Sequence, residues 1–233
     1  MVDQLNIPYF KASIPDNTIK SIKEVLDSGW LTSGPKVKEF EEGFIQYIGR
    51  DQKVLAVNSA TAGLHLALES IGLSKSDEVI IPTLTFTATA EVVSYFDAIP
   101  VLVDIDPKTL CASFEQIKKS VTKNTKAVIF VSMAGYPINI EEIYSFCKEK
   151  GIYLIEDAAH AFSSRVRGKS IGKDTSHITV FSFYANKTIT TGEGGMIVTS
   201  DMKLFKRMKL MRTHGFNRDV FTRFTKNFKS WSY

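Results

Sequence analysis

Short apolar runs rich in β-branched residues alternate with amphipathic stretches along most of the chain. The runs predict seven strands, at residues 54–57, 79–81, 101–105, 127–131, 153–156, 178–183 and 196–199. Amphipathic stretches that predict helices lie between several of them, at 62–71, 114–121 and 140–150. Near-continuous apolar strands with helical crossovers are typical of a parallel sheet that helices cover on both faces. The pattern therefore predicts an α/β fold.

The connection between the last two predicted strands differs from the others. Residues 184–195, which separate these strands, are polar and rich in glycine, so they do not form a crossover helix. A parallel connection commonly needs such a helix. We therefore expect the last strand to be antiparallel, which gives a mixed, mostly parallel seven-stranded sheet.

The first fifty residues follow another pattern. Two helices, at 18–27 and 37–48, flank a turn-rich segment at 28–35. We interpret residues 1–50 as an N-terminal arm with helices packed on a large domain, and residues 51–233 as that domain. No low-complexity linker divides the chain.

The charge of the chain gives no sign of nucleic-acid binding. The formal net charge of +4 is small, and the basic residues are dispersed. Basic residues cluster late, at 203–209 and 212–229. The first cluster fits either a solvated helix face or a surface for an anionic ligand.

Other features of the composition indicate a cytoplasmic location. Cys111 and Cys147 lack the paired spacing of a disulfide framework, and the N-terminus has no apolar signal segment. No apolar run approaches the roughly 20 residues of a membrane helix. The histidines and cysteines show no metal-ligand spacing, so we expect no metal site.

Residues 58–63 (Asn-Ser-Ala-Thr-Ala-Gly) lie where a predicted strand ends and a helix begins. The N–H groups at a helix start bind phosphate readily, and the Ser59 and Thr61 hydroxyls could add donors. The alternative is simple N-capping by Asn58 or Ser59. The chain has no P-loop pattern for nucleotides.

Acidic residues follow two of the predicted strands. Glu156 and Asp157 come at the carboxyl end of a strand, where open α/β sheets form ligand crevices. A carboxylate there could pair with a buried cation, but a helix cap and a core His160 would give the same pattern. Asp104 and Asp106 fit ordinary turn chemistry.

Lys187 follows a predicted buried strand, among small hydroxyl residues and the glycines of 192–195. A lysine in a partly desolvated pocket has a lowered pKa, so its neutral amine can form a Schiff base. The alternative for a lone loop lysine is a surface charge. Together, a helix-start phosphate cradle, a strand-end aspartate and a sheltered lysine are the three anchors that pyridoxal phosphate (PLP) requires.

Several motifs, in their order along the chain, make it resemble the DegT–StrS family of nucleotide-sugar aminotransferases. They are Gly-Trp-Leu-Thr-Ser-Gly-Pro at 29–35, Asn-Ser-Ala-Thr-Ala-Gly-Leu-His-Leu-Ala-Leu at 58–68, Pro-Thr-Leu-Thr-Phe-Thr-Ala-Thr at 82–89, Glu-Asp-Ala-Ala-His-Ala at 156–161, and Phe-Ser-Phe at 181–183 followed by Lys187 and Thr-Gly-Glu-Gly-Gly at 191–195. The resemblance covers nearly the whole chain and implies the large domain of a fold-type I PLP enzyme.

The resemblance also implies a set of site residues. Lys187 would form the Schiff base with PLP and carry protons during catalysis. Ala60, Thr61 and Ser182 would bind the phosphate of PLP, and Phe86 would stack on its ring. Asp157 would bind the ring nitrogen, and His160 would lie near the phenolic oxygen.

The family implies a reaction as well. Its members usually transfer an amino group from glutamate to a 3-keto or 4-keto nucleotide sugar, and they work as homodimers with shared sites. Related dehydratases carry histidine in place of the lysine, so Lys187 favours transamination. Family members continue into a smaller C-terminal domain, which we expect this chain to lack because it stops at Tyr233. Another fold-type I PLP activity, such as that of a synthase or dehydratase, and an inactive PLP-binding remnant are the alternatives.

Overall fold

Seven strands form the central sheet of the computed structural model, which describes residues 7–215. The strands of the chain are β1 (Lys53–Val57), β2 (Glu78–Pro82), β3 (Ile99–Val103), β4 (Thr125–Val131), β5 (Tyr153–Asp157), β6 (Arg165–Val166), β7 (Lys169–Ser170), β8 (Ile178–Ser182) and β9 (Gly195–Thr199). Strands β6 and β7 form a separate small hairpin, which the sequence pattern did not predict. The seven strands that were predicted are all confirmed.

The order of the strands across the sheet is β1-β9-β8-β5-β4-β2-β3. Strand β9 lies antiparallel to both of its neighbours, with Lys53 opposite Thr199 and Thr179 opposite Val198. The remaining pairs are parallel. The mixed, mostly parallel sheet with an antiparallel last strand is therefore confirmed.

Helices cover both faces of the sheet. They are α1 (Thr18–Ser28), α2 (Pro35–Ile48), α3 (Ala60–Ser70), α4 (Ala88–Ser94), α5 (Phe114–Ser120), α6 (Ile140–Lys150) and α7 (Met202–Arg212), with a 3₁₀ turn at Met133–Gly135. The pattern of hydrophobic residues predicted most of these helices but not α4.

Alternate residues of each strand enter different cores, because successive side chains in a strand point to opposite faces. In β4, Ile129 packs with α3, α4 and α7, whereas Phe130 packs with α5 and α6. A third core, beside β8 and β9, holds the buried residues of α2. The expectation of helices on both faces is confirmed.

Helix α3 lies unusually close to the sheet. A Cβ atom built on Gly63 would come 2.6 Å from Cγ1 of Val180, nearer than real side chains approach. Glycine at this position therefore lets the helix pack directly against β8, which also places the start of α3 beside the carboxyl end of that strand.

The N-terminal helices differ in how they are packed. Helix α2 buries Phe44 and Ile48, whereas α1 has no buried residue. The division of the chain at residue 50 stays a prediction. Residues 1–6 and 216–233, including most of the basic segment at 212–229, lie outside the described residues.

The basic cluster at 203–209 lies on α7. The helix buries Leu204 and Met208, while Arg207 forms an exposed ion pair with Glu69. This arrangement fits a solvated helix face. Across residues 7–215, no helix has both the length and the apolar character to cross a membrane.

Candidate active site

A cavity of about 680 Å³ opens at the carboxyl ends of the parallel strands. All of the residues that the sequence analysis singled out for the site line it, namely Ala60, Thr61, Phe86, Asp157, His160, Ser182 and Lys187. They come from four separate stretches of the chain, and the fold brings them together. Cavities at this edge are the usual ligand sites of open α/β sheets.

The start of helix α3 forms one wall of the cavity. The Ser59 hydroxyl accepts a hydrogen bond from the Ala62 N–H at 3.1 Å, so N-capping by Ser59 is confirmed. Helix geometry leaves the N–H groups of Ala60 and Thr61 without intrahelical partners. Capping therefore does not compete with anion binding here, because these two groups stay available at the positive end of the helix dipole.

The beginning of β9 passes directly behind this helix start. A Cβ atom on Gly195 would lie 2.8 Å from the carbonyl carbon of Ser59 and 2.9 Å from both the Ala60 nitrogen and the Phe181 oxygen. All three atoms belong to the backbone and cannot move aside cheaply. Glycine at position 195 therefore allows the start of α3 to approach β8, the strand that ends at Ser182, this closely.

Asp157 ends β5 and is only 6% exposed. Its Oδ2 accepts a hydrogen bond from the Thr89 hydroxyl at 3.0 Å, and its Oδ1 accepts one from the Ala159 N–H at 3.2 Å. Burial raises the pKa of Asp157, whereas these hydrogen bonds and the positive charges of His160 and Lys187 oppose the shift. The site thus holds a desolvated carboxyl group beside cationic groups.

Glu156, the preceding residue, faces the other side of β5 and is fully buried. Its carboxyl group accepts hydrogen bonds from the hydroxyls of Ser132 at 2.6 Å, Thr175 at 3.2 Å and Thr179 at 3.4 Å. Burial raises its pKa to about 7, although the hydroxyl donors oppose the shift. Glu156 does not line the cavity, so of the two adjacent acids only Asp157 belongs to the site.

Lys187 and His160 stand on the cavity wall near Asp157. Burial lowers the pKa of the Lys187 ammonium group, while the Asp157 carboxylate opposes the shift. Desolvation and the charge of Lys187 likewise lower the pKa of His160. Lys187 is therefore not a solvated surface charge, and His160 is exposed to the cavity instead of lying in the core.

The loop between β8 and β9 holds Lys187 in place. Its ends are joined by hydrogen bonds from the Phe183 N–H to the Gly194 oxygen at 2.9 Å and from the Thr191 N–H to the Phe183 oxygen at 3.0 Å. Inside the loop, the Lys187 N–H donates to the Tyr184 oxygen at 3.0 Å. These bonds fix the backbone on both sides of the lysine.

The sequence analysis missed several residues that line the cavity, among them Tyr9, Thr85, Asn186 and Glu193. Asn186 and Glu193 flank Lys187 within a segment already singled out, so adjacency was an available signal. Thr89 lies behind the cavity and bonds Asp157 across 68 positions of sequence, a contact that no local pattern reveals.

The remaining candidate acids form a turn. Asp106 accepts hydrogen bonds from the N–H groups of Lys108 at 2.7 Å and Thr109 at 3.2 Å, and Asp104 accepts one from Ile105 at 2.8 Å. The turn interpretation is therefore confirmed. Within the described part of the chain, no group of three histidine, cysteine or acidic residues could hold a metal ion.

The sequence profile of the DegT/DnrJ/EryC1/StrS aminotransferase family matches residues 12–231. The chain belongs to this family. The resemblance inferred from the motifs is thus confirmed, and every one of these motifs except that at 29–35 contributes residues to the cavity lining.

Several proteins are similar to this chain in sequence or in structure. Uncharacterized protein MJ1066 of Methanocaldococcus jannaschii is 42% identical over the whole of this chain and 60% of its own length. The aminotransferase TlmJ from Streptoalloteichus hindustanus is 34% identical with a TM-score of 0.86, over 91% of this chain and 58% of that chain. The E. coli GDP-4-keto-6-deoxy-D-mannose-3-dehydratase with bound hydrated PLP is 29% identical with a TM-score of 0.86, over 92% and 56% of the two chains. The chain therefore spans less than two thirds of the length of these relatives.

Proposed function

We propose that the cavity binds PLP and that the protein is a PLP-dependent aminotransferase. The observation that carries the proposal is the convergence of a free helix start, the buried carboxyl group of Asp157 and the partly buried amine of Lys187 in one cavity. These three groups match the phosphate, the ring nitrogen and the aldehyde of PLP. Membership of an aminotransferase family and the PLP bound in the E. coli dehydratase support the assignment.

Each chemical group of PLP has a suitable partner among the residues present. The N–H groups of Ala60 and Thr61, with the hydroxyls of Thr61 and Ser182, would bind the phosphate at the start of α3. The ionised Asp157 would pair with a protonated ring nitrogen. Phe86, which lines the cavity and is 75% exposed, offers a free aromatic face for stacking on the ring.

Lys187 and His160 would supply the proton chemistry. Burial lowers the pKa of Lys187 and so increases the share of its neutral amine, the form that both attacks carbonyl carbon and accepts a proton. The lowered pKa of His160 favours a neutral imidazole, which can exchange a hydrogen bond with the ring hydroxyl. PLP, when bound, supplies an electron-withdrawing ring that stabilises the carbanion formed during amine transfer.

For the substrates, we propose a keto nucleotide sugar as the amino acceptor and glutamate as the donor. The support is the family itself and a similar dehydratase that is named for a GDP-linked keto sugar. Because of the similarity to that dehydratase, a dehydratase activity is the second candidate function. The lysine at position 187 favours transamination, because related dehydratases carry histidine there.

We also propose that the enzyme is a cytoplasmic homodimer with shared active sites. The cavity mouth is open in the single chain, where Phe86 and Tyr9 are 75% and 91% exposed, so a second subunit could supply a further wall. Both cysteines are free and buried, as is usual for a protein of a reducing compartment. Sedimentation velocity of the purified protein would test the dimer.

The decisive experiment is an absorbance spectrum of the purified chain with added PLP, followed by borohydride reduction and peptide mapping. We expect a visible absorbance band and a single pyridoxyl group on Lys187. Lys187→Ala should lose both, whereas Lys203→Ala, which changes an exposed lysine of α7, should keep them. Labelling spread over surface lysines, with no band, would refute the proposal.

A second assay separates the candidate reactions. Glutamate added to the PLP-loaded protein should yield 2-oxoglutarate and the aminated cofactor, which an inactive remnant would not produce. Analysis of products from keto nucleotide sugars then distinguishes an amino sugar from a deoxy sugar.

A further inference from the structure

Two threonine hydroxyls form a chain of hydrogen bonds from the cavity wall to Asp157. Thr85, which lines the cavity, lies 2.7 Å from Thr89 between hydroxyl oxygens. Thr89, on α4, lies 3.0 Å from Oδ2 of Asp157 and is 0% exposed. The two hydroxyls and the carboxyl group are therefore joined directly by hydrogen bonds.

The direction of the protons in this chain follows from the chemistry of its members. An ionised carboxylate only accepts hydrogen bonds, and each threonine hydroxyl has one proton to give. Thr89 therefore donates its proton to Asp157, and Thr85 must donate to Thr89. The chain is polarised toward the carboxylate, which strengthens the bond that Thr89 makes.

The Asp157 carboxylate is thereby held through both of its oxygens. Thr89 binds Oδ2, and the Ala159 N–H binds Oδ1. The terminal torsion of an aspartate side chain is soft, so a single donor would leave the carboxylate free to turn. Each oxygen keeps another lone pair for a partner in the cavity.

We propose that Thr89 is a positioning residue that keeps the Asp157 carboxylate ionised and correctly oriented for the ring nitrogen of PLP, and that Thr85 holds Thr89. The inference deepens the proposed function and rests on it for the identity of the ligand. Thr89 touches neither the cavity nor a reacting atom, so its effect must pass through Asp157.

The alternative is that Thr89 is only a satisfied buried hydroxyl. Three further charged or titratable groups act on Asp157 and must be held constant, namely Lys187, His160 and Glu156. Substitutions of Thr89 and Thr85 leave all three groups in place, and Thr179→Val, which removes one of three hydroxyl donors to Glu156, measures separately any effect that reaches Asp157 through Glu156. A measurement on Asp157 itself then separates positioning from general stability.

The test compares Thr89→Val, which removes the hydroxyl, with Thr89→Ser, which keeps it. Thr179→Val is the matched control, because Thr179 is also buried and also donates to a carboxyl group of β5, that of Glu156. Carbon-13 NMR follows the titration of the Asp157 carboxyl carbon in the chain without added ligand, with Asp157→Asn to assign the signal. The dissociation constant for PLP is measured on the same variants.

In Thr89→Val we expect a higher pKa for Asp157 and PLP binding about tenfold weaker, the usual effect of losing a hydrogen bond to a charged group. Thr89→Ser should restore both, and Thr179→Val should change neither. Thr85→Val should act in the same direction as Thr89→Val, with a smaller effect.

An Asp157 titration that Thr89→Val leaves unchanged, or that Thr179→Val alters equally, would overturn the inference. So would a failure of Thr89→Ser to restore the titration. If the wild-type chain takes up no PLP, the proposed function fails, while the titration still decides whether Thr89 controls Asp157.

Discussion

The carboxyl groups of Glu156 and Asp157 are neighbours in sequence but leave β5 on opposite faces of the sheet. Glu156 meets three hydroxyl donors in a closed interior, whereas Asp157 meets one hydroxyl, one N–H group and the cavity. The alternation of side chains along a strand thus separates an acid of the interior from an acid of the cavity. Their different surroundings lead to different expectations.

Glu156 should make the stability of the protein depend on pH. Its pKa is raised from 4.5 to about 7 in the folded state, so the folded chain keeps a proton that the unfolded chain loses between these values. The contribution of Glu156 to the free energy of unfolding is therefore fully present below pH 4.5 and is lost as the pH rises toward 7. For this pKa shift the loss is on the order of 3 kcal/mol. Glu156→Gln removes this titration, and urea unfolding at several pH values measures the difference from wild type.

The matched control for this experiment is Glu149→Gln, since the Glu149 side chain is 75% exposed. The stability of the Glu149→Gln variant should depend on pH in the same way as that of the wild type. A difference between wild type and Glu156→Gln that stays constant from pH 4.5 to 7 would contradict the expectation.

Gly195→Ala should destabilise the protein and disturb the phosphate cradle. The added Cβ would press on backbone atoms of Ser59, Ala60 and Phe181, which costs about 1–3 kcal/mol in overpacked sites. Gly43→Ala is the control, because Gly43 lies within α2 with no atom near its would-be Cβ, and alanine should stabilise that helix by up to about 1 kcal/mol. In thermal unfolding we expect a lower melting temperature for Gly195→Ala and a higher one for Gly43→Ala. Equal changes in the two variants would refute the argument that the backbone approaches Gly195 too closely for a side chain.

Two N-cap serines allow stability and ligand binding to be separated. Ser59→Ala and Ser113→Ala each remove a cap, at Ala62 and Gln116 respectively, and each should cost about 1 kcal/mol of unfolding free energy. Of these two serines only Ser59 lines the cavity, where its hydroxyl is free to donate to the phosphate of PLP, so Ser59→Ala alone should weaken PLP binding, by about tenfold for one hydrogen bond to a charged group. Isothermal titration tests this, and equal PLP affinity in the two variants would contradict it.

The pKa of His160 should respond in opposite directions to the loss of its two charged neighbours. Lys187 lowers the pKa of His160 and Asp157 raises it. Lys187→Ala should therefore raise the His160 pKa, and Asp157→Asn should lower it, as proton NMR of the imidazole can show. His177 serves as the internal reference, because its pKa is lowered by burial and by Lys148, away from the cavity. Shifts of the same sign in both variants would disprove the proposed charge arrangement.

Most of the strands could be predicted because they are buried on both faces and read as apolar runs in the sequence, and the edge strand β3 is also apolar although its Ile99 and Leu102 are exposed. The antiparallel β9 followed from the polar loop before it, which is too poor in apolar residues for a crossover helix. Helix α4 escaped prediction because its sequence, Ala-Thr-Ala-Glu-Val-Val-Ser, has two adjacent valines and no clear helical period, whereas α5, of the same length, places Phe114 and Ile117 three residues apart. The hairpin of β6 and β7 turns through Arg167 and Gly168, both at positive φ, without the Asn-Gly or Asp-Gly signal.

The site residues could be predicted wherever a motif carried them. Lys187 and Asp157 each follow a strand, so their place at the carboxyl edge was implied by the topology. The sequence did not reveal the neighbouring groups that set the pKa values and positions of these two side chains. The burial of Glu156, the contact from Thr89 and the approach of Gly195 to Ser59 depend on distances between segments far apart in the chain. Such distances exist only once the sheet has formed.

The pairing of β1 with β9 has a consequence for the synthesis of the protein. Strand β1 is at the edge of the sheet and its partner there is β9, the last of the described strands to leave the ribosome and the one farthest from β1 in sequence. Until β9 is made, β1 has no neighbouring strand in the sheet. Non-local pairing of this kind forms slowly, since a long loop must close first. The end of the cavity at the start of α3, which follows β1 directly in the chain, is therefore completed only after β9 has been made.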